Sequence, residues 1–403
     1  MLNFDEYQMS AINNLLSTQS KISVLTGGAG RGKTSILKEF INNSPGKEIL
    51  CACPSGKGAK VMEVALDGTG IRSSTIHRML GCQGPGSWVY SGGNRLEVDV
   101  VIIDEASMVG SDLMARVING VSEEAKIILV GDAAQLPPVS PGMPFADICT
   151  KDKREVVNRL VTNYRQKEGS LIADAGDRVL SKTALLFGQP GSFTLGGERE
   201  DDLFFIEMED KELIPAEVLG KCKAWSENKE DYQILSPQHS GVCGVENLNN
   251  YLQENLNPPS SDKPELKINN FLTLRIGDKV INKKNNYKLS IFNGYTGFVV
   301  SVHGDEVVVD FDGQIITFTE KADLRNLKLA YCLTIHSSQG SEYKNGIVIC
   351  HSSHYFMWSN SLLYVAVSRF KEKLFIVGNR KGLNRGIKND KSDGRNTYLS
   401  DVL

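Results

Sequence analysis

The segment Gly27-Gly28-Ala29-Gly30-Arg31-Gly32-Lys33-Thr34 follows the apolar run Ile22 to Leu25, and two of its glycines bracket four residues ahead of a lysine and a hydroxyl. This order of strand, loop and helix is the P-loop pattern. Gly28, Gly30 and Gly32 let backbone N–H groups turn inward around phosphate oxygens, and Lys33 can reach the β and γ phosphates of a nucleotide. Thr34, with Ser35 after it, offers a hydroxyl to Mg²⁺. A second apolar run, Val100 to Ile103, delivers Asp104 and Glu105 at its end. In a P-loop fold that end of the strand faces the nucleotide, so Asp104 would hold the metal and Glu105 would polarise the water that attacks the γ-phosphate. Further along stand Gly131-Asp132-Ala133-Ala134-Gln135, Arg165 and Arg369, of which Gln135 and the two arginines carry polar groups suited to phosphate.

These groups need a scaffold. Strand candidates Ile22 to Leu25, Glu48 to Ala52, Val100 to Ile103 and Lys126 to Val130 alternate with helix candidates, which predicts a parallel sheet with helices on both faces. The stretch Gly81 to Gly93, with Trp88 and Tyr90, interrupts the alternation and reads as a small projecting hairpin or loop. A second α/β region begins near Arg154, contributes the strand Tyr232 to Leu235 and resumes at Leu329 with Gly346 to Cys350 and Leu374 to Val377. Between its parts, Asp278 to Ile281, Gly297 to Val302, Glu306 to Phe311 and Ile315 to Phe318 read as short strands. They are separated by Asn293-Gly294 and Asp312-Gly313, dipeptides that favour tight hairpins, so a small β-barrel inserted into the second α/β domain is expected. The polar tail from Lys381 to Arg395 is expected to be loose.

A chain of 403 residues suggests two to three domains, and 41% hydrophobic content supports real cores. With 45 basic against 48 acidic side chains and a net charge of -3, no global field attracts a polyanion, so any nucleic acid must be gripped by local groups. The eight cysteines show no paired CxxC spacing and Cys51 and Cys53 fall in an apolar strand, so reduced core thiols and no zinc site are expected. The first residues carry acids and a glutamine where an export signal needs a basic and then an apolar run, and no stretch reaches the roughly 18 apolar residues of a membrane span. A cytoplasmic protein with no membrane partner is expected.

Two longer segments, Gly131 to Val139 and Thr334-Ile335-His336-Ser337-Ser338-Gln339-Gly340-Ser341-Glu342, look like signatures of RecD-like and Dda-like helicases of superfamily 1. The resemblance runs from Gln8 to Arg369 and includes Leu235-Ser236-Pro237, Gly244-Val245, Leu248-Asn249 and Leu256-Asn257-Pro258. It implies an α/β fold of two RecA-like P-loop NTPase domains: residues 1–153 with a pin insertion at 82–98, and residues 154–270 with 329–403, the second interrupted by an SH3-like β-barrel at 271–328. ATP would bind in the cleft between the two domains. Compactness ahead of the glutamine motif is closer to phage Dda-like enzymes than to bacterial RecD-like proteins.

Matched to the family, Gln8 falls where an adenine-reading glutamine lies just before the first helix, against the alternative of a helix-surface residue. Gln135 resembles the γ-phosphate sensor, while Arg165 and Arg369 look like the two arginines that reach across the cleft. Arg31 stands where relatives commonly have threonine, and its long cation could add a contact or a clash. Pro54, Ser55 and Lys57 follow a strand and open a helix whose N-terminus can hold a phosphate of the DNA. Thr75 with His77, and Thr334 with His336, form a matched pair similar to the family's grips on the single-strand backbone. Trp88 either stacks on the last base pair as part of the pin or packs back to anchor the hairpin. Lys279, Lys283 and Lys284 are either phosphate contacts or a solvated barrel edge.

The expected activity is that of an ATP- and Mg²⁺-dependent DNA helicase that acts as a monomer on single-stranded DNA and duplex junctions, with replication or recombination proteins as possible partners. Gln339 stands where the opposite-polarity branch, similar to UvrD and Rep, usually carries a lysine, and Leu136-Pro137-Pro138-Val139 is absent from that branch, which implies 5′ to 3′ travel. An RNA-directed enzyme, or an ATPase that strips bound proteins without unwinding, are the competing readings.

Overall fold

The β-branched runs at Val100–Ile103 and Ile127–Val130 have relative exposures of 1% or less, as strands must when helices cover both faces of a parallel sheet. A computed structural model describes residues 4–84, 86–150, 156–164, 169–188, 201–225 and 232–390. The chain divides into two compact units, Met1–Lys167 with Lys391–Leu403, and Glu168–Asp390.

The first unit contains β1 (Ile22–Thr26), β2 (Ile49–Cys53), β3 (Ser73–Thr75), the hairpin of β4 (Cys82–Gly84) and β5 (Ser87–Trp88), then β6 (Val100–Ile103), β7 (Lys126–Gly131) and β8 (Val157–Arg159). Its helices are α1 (Glu6–Ser17), α2 (Lys33–Asn42), α3 (Gly56–Ala65), α4 (Ile76–Met79), α5 (Ser111–Gly120) and α6 (Pro144–Thr150). Six strands form one sheet in the order β3-β2-β6-β7-β1-β8, and every pairing in it is parallel. The expected boundary after residue 153 falls ahead of β8, whose Val157, Asn158 and Arg159 pair with Val24, Leu25 and Thr26. The sheet needs that strand to cover the open edge of β1, so the first unit runs on past it.

The second unit contains α7 (Leu171–Leu180), β9 (Leu203–Glu207), α8 (Ile214–Ala224), β10 (Tyr232–Ser236) and α9 (Val245–Leu256). After them come β11 (Glu265–Asn269), β12 (Leu272–Arg275), β13 (Lys279–Asn282), β14 (Thr296–His303), β15 (Glu306–Phe311), β16 (Gln314–Phe318), α10 (Lys321–Leu324) and β17 (Leu327–Leu329). The unit closes with β18 (Cys332–Thr334), β19 (Tyr343–Cys350), α11 (Asn360–Ser368), β20 (Phe370–Gly378) and α12 (Arg380–Lys388). A parallel sheet of order β18-β10-β19-β20-β9 is interrupted by the β11–β12 hairpin and an antiparallel sheet of order β16-β15-β14-β13-β17. The insertion begins earlier than its expected start at residue 271, because β11 pairs with β12. Asp312 and Gly313 adopt φ of 52° and 90° and make the two-residue turn between β15 and β16, as the right-handed strand twist demands. Asn293-Gly294 lies instead in the longer link from β13 to β14. The tail expected to be loose is helical to Lys388, with Gly382, Leu383, Gly386 and Ile387 buried.

A buried polar hub holds the insertion in place. The Asp278 carboxylate accepts from Gln253 Nε2 (2.6 Å), Asn257 Nδ2 (2.7 Å), Arg275 N (2.8 Å) and Tyr331 OH (2.8 Å). Burial pushes its carboxyl above the usual range, and the donors from Asn257, Arg275, Tyr331 and Gln253 work against that shift. Beside it Arg275, 6% exposed, donates to Glu265 (2.8 Å) and Glu254 (2.9 Å). Helix α9, the hairpin, the start of β13 and the approach to β18 are therefore tied through two side chains. Asp278→Ala would leave several buried donors unpaired and is expected to cost about 3–5 kcal/mol, read as a lowered urea midpoint of the second unit.

Candidate active site

Strand β7 lies between β1 and β6, so the P-loop, Gln135 and the Asp104-Glu105 pair all follow the C-terminal ends of three neighbouring strands. The loop turns on Gly30 and Gly32, with φ of 75° and 80°, values that favour residues without a Cβ. Gly32 is also the N-cap of α2, and as a glycine it supplies no capping side chain. Lys33 folds over the loop and donates to the carbonyls of Gly27 (2.7 Å) and Gly28 (2.9 Å). Thr34 and Ser35 sit half-buried in the first turn.

The loop is braced from the segment after β8. Arg31 donates to Leu160 O (3.0 Å) and Tyr164 N donates to Gly30 O (2.8 Å). The cation of Arg31 thus adds a structural contact. Tyr164 also donates its hydroxyl to Asp5, which caps α1. Gln8 lies within the first turn of α1 rather than ahead of it, and it is buried rather than on the helix surface. Its Oε1 accepts from Asp5 N (3.2 Å) to complete a capping box, and its Nε2 lies so near the loop that a Cβ on residue 32 would sit 2.4 Å away.

Asp104 is pushed up to about 7 by burial and by the Glu105 carboxylate, with the Glu105 N–H and Lys33 pulling it back. A carboxylate held against desolvation and a like charge is one that a divalent cation relieves, so the donor set fits Mg²⁺. Glu105 adopts a left-handed backbone, φ 52°, rare for a residue with a Cβ and found where surrounding structure imposes it. Gln135 has a buried Oε1 with no hydrogen-bond partner. Cys51 and Cys53 are buried, and desolvation with the nearby Asp104 charge pushes both thiols up, Cys51 to about 12, so neither is a reactive thiolate.

Arg369 is 4% exposed, and its guanidinium donates to Val365 O (3.2 Å), Ser341 O (3.2 Å) and Ser368 Oγ (3.0 Å). It is held within its own unit as the C-cap of α11. Arg165 lies outside the described residues.

The paired threonines occupy equivalent places. Thr75 ends β3, the edge strand beside β2, and Thr334 ends β18, the edge strand beside β10. Each hydroxyl accepts from the backbone three residues on, Arg78 N (3.2 Å) and Ser337 N (3.1 Å). In both units the neighbouring strand runs into a proline, Pro54 after Cys53 and Pro237 after Ser236. Ser55 caps α3 through Gly58 N (3.0 Å), with Lys57 in the first turn. His77 and His336 both lie exposed after their threonines, and desolvation with nearby His239 holds His336 below its usual range.

Trp88 packs back onto the first unit. Its ring lies 5.4 Å from that of His77 and under the Arg116 guanidinium at 5.0 Å, and its Nε1 is buried without a partner. Packing against the hydrophobic core of the first unit makes it an anchor of the hairpin. Lys279 is likewise structural: it is buried, bonded to Tyr232 O (2.9 Å) and 5.8 Å from the Tyr232 ring. Lys283 and Lys284 are exposed. Sequence reasoning missed Tyr164 and Asp5, although the Asp5-x-x-Gln8 spacing is a helix-start signal.

A parallel sheet that carries a P-loop, a carboxylate pair and a polar side chain on the strand between them defines a P-loop nucleoside-triphosphatase fold. Family comparison agrees: an AAA domain matches residues 3–182, the SH3 domain of ATP-dependent RecD-like DNA helicases residues 248–311, and a UvrD-like helicase C-terminal domain residues 329–377. The chain is similar to the RecD-like helicases in each of these three segments. It is 32% identical over 378 residues to the ATP-dependent RecD2 DNA helicase of Deinococcus radiodurans, covering 93% of this chain and 49% of that protein. It is 27% identical over 390 residues to the RecBCD enzyme subunit RecD of Mycolicibacterium smegmatis, covering 89% of this chain and 68% of that one. The chain thus spans about half the length of the Deinococcus relative. In fold it is similar to the Pif1 helicase from Bacteroides in complex with ADP-AlF3 and ssDNA, with a TM-score of 0.58 and 21% identity over 98% of this chain and 99% of that one. The Pif1 helicase from Candida albicans gives 0.58 at 18% identity, over 97% of each chain. No helix among the described residues is long and apolar enough to cross a membrane.

Two substitutions test the geometry. Gly32→Ala forces a Cβ onto Gln8 at a positive φ and is expected to weaken binding of a fluorescent nucleotide by roughly tenfold or more. Trp88→Ala is expected to lower the unfolding free energy of the first unit by about 1–2 kcal/mol, through loss of its ring and cation contacts.

Proposed function

We propose that this chain is an ATP- and Mg²⁺-dependent DNA helicase and single-strand translocase that moves 5′ to 3′ and opens duplex during replication, recombination or repair. The observation that carries the reading is the gathering of the glycine-led α2 N-terminus, Gln135 and the Asp104-Glu105 pair at three adjacent strand ends. The first-turn N–H groups of α2 bind the phosphates, and Lys33 exchanges its bonds to Gly27 and Gly28 for phosphate oxygens. Thr34 and Asp104 would hold Mg²⁺, which when bound would supply positive charge against the transferring phosphoryl group. Glu105 takes the proton of the attacking water and the unpaired Gln135 Oε1 senses the γ-phosphate. Gln8 reads the adenine through Nε2, since its Oε1 serves the capping box. Arg165 and Arg369 are the proposed arginines for transition-state charge, and Arg369 must trade its bonds to Val365, Ser341 and Ser368 for that role.

Thr75 with His77, Thr334 with His336, and Ser55 with Lys57 are the proposed contacts to the single-strand backbone. The equivalent placement of the two threonines on sheet-edge strands supports paired grips, one per unit. The names of relatives as RecD2 and RecD proteins support DNA as the substrate and recombination or repair as the setting.

The test is ATP hydrolysis with and without single-stranded DNA, beside unwinding of duplexes with a 5′ or a 3′ tail. DNA-stimulated hydrolysis with opening of the 5′-tailed duplex alone is expected, and Lys33→Ala should lower kcat by about 100-fold or more. Opening only the 3′-tailed duplex would overturn the polarity, and stimulation by RNA but not DNA would overturn the substrate.

A further inference from the structure

In the second unit a groove of about 660 Å³ opens between the start of α9, the β11–β12 turn and the edge of the antiparallel sheet. Its floor is apolar, made by Val245, Leu272, Ile281, Leu329 and Leu333, each below 9% exposure. At its rim stands Phe271, 90% exposed, an aromatic ring with no packing role in the unit. The ring does not sit on a slack loop: Phe271 N donates to Asn269 Oδ1 at 2.8 Å, which fixes the turn between the two strands. Exposing a phenyl ring on an ordered turn beside an apolar cleft costs solvation and offers a stacking face.

The surrounding charge identifies what would use that face. Lys283, Lys328 and His239 line the groove against a single carboxylate, Glu246. Lys283 Nζ lies 3.2 Å from Ser337 Oγ, and Ser337 is bonded to Thr334 Oγ1, which itself lines the groove. The groove is therefore continuous with the Thr334 edge assigned to the strand backbone. A flat apolar floor, an aromatic at the lip and cations alongside suit an unpaired nucleobase with its flanking phosphates. An apolar peptide would fill the floor without using the cations.

We propose that this groove captures one unpaired base of the bound single strand, stacked on Phe271, with the flanking phosphates held by Lys283 and Lys328. The inference rests on the translocase reading and deepens it, because a base held in the second unit gives that unit a grip beyond the Thr334 contact. Sequence-tolerant stacking suits a motor that must accept every base.

The test uses the full chain and a series of oligonucleotides in which one 2-aminopurine, or one abasic site, is walked along the strand. One register should show the fluorescence change of stacking, and an abasic site at that register should weaken binding by about tenfold. Phe271→Ala should lose the signal and weaken binding of intact strand by about tenfold, with no further loss from the abasic site, and Phe271→Trp should restore both. Changing Lys283 and Lys328 together to Gln should reduce the slope of log affinity against log salt by about 2. Equal binding by Phe271→Ala and parent, with no preferred register, overturns the base pocket while leaving the translocase reading in place. Failure of the parent to bind single-stranded DNA overturns both.

Discussion

A helix whose first N–H groups meet no capping side chain is costly unless a ligand or water satisfies them, and α2 is built this way. Much of the first unit serves to hold that start open. Gly30 and Gly32 take backbone angles that free the loop to curl inward, and the loop's outer side is pinned by Arg31 to Leu160 and by Gly30 to Tyr164. Strand β8 makes this possible, because its pairing with β1 carries residues 160–164 over the loop. Gln8 closes the arrangement from α1, where its capping box fixes the side chain that lies against Gly32.

The same economy governs the carboxylates. Asp104 is partly buried and pressed by Glu105, and Glu105 itself sits at a positive φ that costs about 1–2 kcal/mol. Such costs persist only where neighbours over-determine the backbone. Here β6 is flanked on both sides by parallel strands, and its four residues are entirely buried, so the turn that follows has little freedom. The strain lies at the strand ends where charge must be held in place, and the well-packed strands behind them supply the stability that offsets it.

The second unit repeats the sheet-edge arrangement of the first but adds an insertion that must be kept in register with it. Asp278 and Arg275 do this by gathering bonds from α9, from the β11–β12 hairpin and from Tyr331 just ahead of β18. Because β18 ends in Thr334, the hub that anchors the insertion also borders the strand that presents Thr334. A groove between the insertion and that strand end is the natural consequence, and the exposed Phe271 stands at its mouth.

Local pattern was enough for the elements whose chemistry is contiguous in the chain. The P-loop glycines, Asp104-Glu105 after four apolar residues and Asp312-Gly313 between two strands all announce themselves because each depends on neighbours within a few residues. Tertiary structure alone decided the rest. Whether Trp88 projected or packed depended on Arg116 and His77, whether Lys279 met solvent depended on Tyr232, and the boundary beyond residue 153 depended on β8 finding the open edge of β1. Those outcomes come from burial and hydrogen bonding between residues far apart in sequence, which spacing along the chain does not encode.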